Sequence, residues 1–139
     1  MASLIYNSFW DDLARGAVDA DTDTFKCMLV TSAYTEDKDA HTKRSNVTNE
    51  VAAAGGYVAG GQAVTVGVTK DNANDRVEIS LGGFSIPAAS ITARKAVYYK
   101  SRGGAASADE LVAVIDFGAD VTSTNGTWSL AASTIRIQN

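Results

Sequence analysis

Alternating carboxylates are the most conspicuous reactive group in the chain. Asp19-Ala20-Asp21-Thr22-Asp23 copies the first half of a calcium loop, in which such side chains converge on one cation. Thr24 then stands where glycine must make the turn, and Val30 where a bidentate glutamate belongs. The run therefore reads as a connecting loop whose aspartates bond nearby backbone as Asx-turns. Gly56-Tyr57-Val58-Ala59-Gly60-Gly61-Gln62 has glycines near phosphate-loop spacing. Gln62 and Ala63 follow, where Lys and then Ser or Thr would have to reach phosphate and magnesium. An exposed flexible loop is the expectation there. His41 and Cys27 are the single histidine and the single cysteine. A Ser or Cys nucleophile would need His41 as its base, yet His41 lies in the solvated run Lys38-Asp39-Ala40-His41-Thr42-Lys43-Arg44, far in sequence from Cys27. Zinc normally takes several His or Cys ligands, more than the chain offers. Asp109, Glu110, Asp116 and Asp120 could supply the two acids of a glycoside hydrolase, but nothing in the sequence brings a pair of them to a cleft. No catalytic, metal or cofactor site is expected.

The aromatic residues carry a different implication. Tyr6, Phe9 and Trp10 cluster near the N-terminus. They either seal one end of a core or anchor the chain on another protein, where Trp and Tyr are enriched. Tyr98-Tyr99 fall in a strand pattern, so their rings point to opposite faces, and one should be exposed or covered by a partner. Tyr6, Phe9, Trp10, Tyr57 and Tyr99 are the interface candidates.

These side chains must be positioned mainly by strands. One short helix is predicted over residues 8–16, with Ser8 and Asp11 as a capping box and Gly16 as terminator. Phe9, Leu13, Ala14 and Ala17 form its apolar stripe. The period then becomes two. Thr24 to Ser32 places Phe25, Cys27 and Leu29 on one face, and its only partly polar second face suggests that both are covered. Gln62 to Lys70 and Arg76 to Leu81 flank the turn 71–75 as a hairpin, with Val77, Ile79 and Leu81 inward. Thr92 to Ser101, Glu110 to Phe117, Gly126 to Ala131 and Thr134 to Gln138 follow, with a short strand at Phe84 to Ile86. This is the pattern of an all-β chain: a jelly-roll-like antiparallel β-sandwich with one short N-terminal helix. Residues 1–139 read as a single domain, with 1–17 as an N-terminal arm and helix. Tyr34 to Glu50 and Ala52 to Gly61 are irregular and long enough to be functional or interface loops.

Composition narrows the partners. The 139 residues are 45% hydrophobic and 20% charged, within the globular range. A formal charge of -4 with scattered Lys and Arg argues against nucleic acid, which demands a basic stripe, and against anionic membrane. A lone Cys27 in an apolar run reads as a buried, inert thiol. No signal peptide or membrane span is expected.

Several stretches, in order along nearly the whole chain, resemble one family. They begin with Tyr6-Asn7-Ser8-Phe9, Ala17-Val18-Asp19 and Asp23-Thr24-Phe25-Lys26. Thr31-Ser32, Tyr34-Thr35, Asp39-Ala40-His41 and Val47-Thr48-Asn49-Glu50-Val51 continue them. Tyr57-Val58-Ala59-Gly60-Gly61-Gln62, Ile91-Thr92-Ala93-Arg94 and Ile115-Asp116-Phe117-Gly118 complete the set. The chain thus resembles the small capsid cement, or decoration, proteins of tailed bacteriophages. The resemblance implies a β-sandwich bound outside an HK97-type shell of the phage major capsid protein, as a homodimer and without catalytic residues. A phage tail or fibre component, a carbohydrate-binding β-sandwich and a small hydrolase are the rival readings.

Overall fold

The apolar positions at period two build an antiparallel β-sandwich, and the computed structural model describes residues 3–139 of it. Its elements are β1 (Leu4–Ile5), α1 (Asn7–Arg15), β2 (Phe25–Val30), β3 (Gln62–Val64), β4 (Val66–Asp71), β5 (Arg76–Leu81), β6 (Phe84–Ala89), β7 (Thr92–Lys100), β8 (Leu111–Thr122), β9 (Gly126–Leu130) and β10 (Ser133–Gln138). One sheet has the order β1-β8-β7-β2-β3. Facing it are a three-stranded sheet, β10-β5-β4, and a two-stranded one, β6-β9.

The two smaller sheets form one bent ribbon. Ser133 opposes Leu81 and Leu130 opposes Phe84, so neither strand gains or loses a residue across the bend. Gly83 makes the bend, because a Cβ there would lie 2.0 Å from the Leu130 carbonyl oxygen. On the opposite side, β3 and β4 are nearly continuous and carry the chain from one sheet to the other.

Phe25, Cys27 and Leu29 of β2, Ala96 and Tyr98 of β7, and Ala113 of β8 meet Ile79, Leu81, Ile135 and Trp128 between the layers. The second face of the large sheet is buried too. Met28, Val30, Val97, Tyr99, Leu111 and Val114 lie there under Tyr6, Tyr34 and Val47. A register shift between Tyr98 and Tyr99 brings Leu111 and Val114, three residues apart, into this second cluster. Within segment 31–61, Tyr34 and Val47 cover this face while Tyr57 enters the core between the layers, so neither stretch is a free loop. Likewise the N-terminal segment is not a free arm: β1 pairs with β8, and the Tyr6 N–H donates to the Val112 carbonyl at 3.1 Å.

The helix starts one residue before the expected position, and the capping box does not form. Tyr6 is its N-cap without a side-chain bond, and Ser8 Oγ is buried with no hydrogen-bond partner. Gly16 does end it, at φ 78°. Among the described residues no helix is long and apolar enough to cross a membrane.

Candidate interaction surface

The five aromatic candidates separate sharply. Tyr6, Phe9, Tyr57 and Tyr99 are buried inside the chain, and only Trp10 is exposed, at 37%. Four of the five rings thus belong to the fold, which corrects their reading as free contact surface. Tyr99 illustrates why. Its ring lies on the second sheet face as alternation requires, but the chain's own cover supplies the partner: its hydroxyl donates to the Gly60 carbonyl at 2.5 Å, and Arg44 sits 5.0 Å over the ring. Burial, with Arg44 partly opposing it, pushes the Tyr99 phenol up to about 12.

The cover is fixed by polar groups as well as rings. The Tyr57 hydroxyl donates to Glu50 Oε1 at 2.7 Å and accepts the Leu29 N–H at 3.0 Å. Glu50 also accepts the Gly60 N–H at 2.6 Å. Gly61 packs so closely on β2 that an added Cβ would lie 1.9 Å from the Cys27 carbonyl oxygen. The glycine-rich stretch is therefore pinned, not the flexible loop its composition suggests. Deeper in, Lys95 of β7 bonds Glu36 at 2.5 Å and the Tyr34 carbonyl at 2.8 Å, with both charged side chains buried. Tyr6 and Tyr34 hydroxyls meet at 2.8 Å, and Tyr34 reaches His41 Nδ1 at 2.9 Å. His41 stacks on Tyr34 and is only half solvated, so it holds the cover in place.

Three of the four candidate acids are held in ion pairs. Asp109, fully buried, bonds Arg44 at 2.7 Å. Glu110 lies between Arg102 at 2.5 Å and Lys43 at 3.5 Å. Asp116 pairs with Arg94 at 2.9 Å, and Asp120 is exposed. Burial alone would raise the Glu110 and Asp116 carboxyls, yet the Arg102 and Arg94 guanidinium bonds bring both below their ordinary values. A general acid needs the opposite shift. In the aspartate loop, Asp19 Oδ1 accepts the N–H groups of Asp21 and Thr22 while Asp23 accepts the Asp19 N–H at 2.8 Å, the Asx-turn arrangement expected. Asp23 also pairs with Lys100 at 2.7 Å. No His, Cys, Asp and Glu group suited to a metal occurs among the described residues.

Aliphatic residues on strand ends provide what the aromatics do not. The inner face of the three-stranded sheet extends past the large sheet, leaving Val68 41% and Ile137 45% exposed. With Val77, Leu13, Val18 and Ile79 they line a groove of about 430 Å³ between α1 and this projecting end. The sequence did hold a signal: Ile137 continues an inward apolar alternation one step beyond buried Ile135, and Val68 one step beyond half-buried Val66. A scan for large aromatics passes over them.

Comparison of the chain with family models, curated proteins and solved structures found no match.

Proposed function

We propose that this protein is a cement protein, binding the outer surface of a tailed-phage capsid shell and stabilising the assembled head. The observation that carries the reading is the ordered run of family-like segments from Tyr6 to Gly118, on a chain whose fold is the β-sandwich that resemblance implies. Three features support it. Three of the four acids that hydrolysis could draw on, Asp109, Glu110 and Asp116, are tied up in structural pairs with arginines. Trp10 is the one exposed large aromatic among the described residues, so no platform of stacked rings favours sugar binding. The projecting sheet end offers aliphatic surface suited to another protein. A cement protein acts by mass action, since it binds the assembled shell and not loose subunits.

The test is co-sedimentation of the purified protein with expanded empty shells of the phage that encodes it. Saturable binding and greater resistance of the shells to heat are the expected results. Absence of binding at concentrations well above micromolar overturns the reading.

A further inference from the structure

Sheet edges invite added strands unless they are blunted, so each free edge of this sandwich can be asked what protects it. β1 has two residues and β3 three. β6 carries Pro87, which lacks an N–H, and a register break at Ala88, where φ is +50°. β4 holds Gly67 and ends in Lys70-Asp71. β9 has five residues and starts at Gly126, and its Trp128 indole N–H reaches across to the Val121 carbonyl of β8 at 3.2 Å. β10, Ser-Thr-Ile-Arg-Ile-Gln, has six residues, three of them β-branched, without Gly, Pro or bulge.

The direction of its backbone groups follows from the ladder. Asn139 donates its N–H to Asp75 at 3.1 Å, which makes 139 and 75 a hydrogen-bonded pair. Alternation then turns Ser133, Ile135 and Ile137 toward β5. On the far side of β5, the Gly82 N–H to Thr65 bond fixes the complementary phase. Thr134, Arg136 and Gln138 consequently point their N–H and C=O groups outward. No partner for them occurs among the described residues. Alongside runs a groove of about 310 Å³ between β10 and the β1–β8 edge, floored by Leu81, Ala113 and Ile115.

Side-chain chemistry specifies what fits. On the outer face, Glu78 of β5 bonds Arg136 of β10 at 3.0 Å, and Arg136 remains 53% exposed. A carboxylate on the next strand would continue the row in alternating sign. On the inner face Ile137 is half-exposed and waits for an apolar neighbour. We propose that the free edge of β10 accepts an extended strand of the capsid subunit by strand addition. That strand carries an acidic residue opposite Arg136, with apolar residues on the alternate positions facing the groove. The proposal rests on the cement reading for the identity of the partner.

The same shells provide the test. Arg136→Pro deletes one outward N–H and leaves the β5–β10 bonds in place; Arg136→Glu keeps the backbone and reverses the charge. Each is expected to weaken shell binding tenfold or more with a thermal midpoint near that of the parent. Hydrogen exchange over residues 133–139 should slow in the shell-bound parent. If the parent itself fails to bind, the cement reading falls. If the parent binds, two results each overturn strand addition alone: parent-like binding by folded Arg136→Glu, or unchanged exchange over 133–139. Loss of self-association in place of shell binding makes a second copy the occupant, and also overturns it.

Discussion

Lys95 and Glu36 are the costliest single residues to disturb, because they hold opposite charges out of water on the covered sheet face. Removing one partner of such a pair strands the other, at about 3–5 kcal/mol. Lys95→Met is therefore expected to lower the denaturant midpoint strongly, and Glu36→Gln in the same chain to recover much of the loss. A recovery of nothing in the double variant, measured by equilibrium unfolding, would show that the cover does not depend on the pair. Cys27 sets a milder expectation. It is fully buried, and burial pushes its thiol well above the ordinary range, the nearby Tyr98 hydroxyl only partly opposing this. Thiol reagents should leave it unmodified in the native protein and label it only at the global unfolding rate.

Among the elements, the bent ribbon makes the sharpest demand on sequence. A side chain at Gly83 would collide with the Leu130 carbonyl, so Gly83→Ala is expected to cost about 1–3 kcal/mol or more through forced backbone shifts. Gly104→Ala, where an added Cβ meets nothing, is the matched control and should melt like the parent. The strands themselves were legible because alternation needs only local residues: β5 and β10 lie within a residue of where Val77, Ile79, Leu81 and Ile135 place them. Their partners were not. Alternation states that Tyr98 and Tyr99 face opposite ways, but whether the second face meets solvent, a partner or the chain itself is decided by segment 31–61. That segment has no period of its own; Tyr34, Glu36 and Tyr57 fix it by bonds to distant strands. For the same reason alternation marked as contact candidates aromatics that the chain itself buries, and passed over the exposed strand-end aliphatics Val68 and Ile137.

Across the whole molecule the charges form a network that acid should dismantle. Hydrogen bonds hold Asp19, Asp37 and Asp71 below the ordinary aspartate value, and Asp23, Glu110 and Asp116 stay low because Lys100, Arg102 and Arg94 outweigh burial. In the unfolded chain these carboxyls regain values near 3.8 and 4.5, so below that range the unfolded state takes up protons first. Their stabilisation is complete above the unfolded values and is lost as pH falls through the folded ones. Asp12 works the other way, since burial raises it, but it stands against six. The unfolding midpoint is thus expected to be level from pH 7 to about 5 and to fall below about 4. Arg94→Gln isolates one contribution: without its guanidinium, Asp116 rises toward the unfolded value and the acid limb should become shallower. An unchanged limb in that variant would place the acid sensitivity elsewhere.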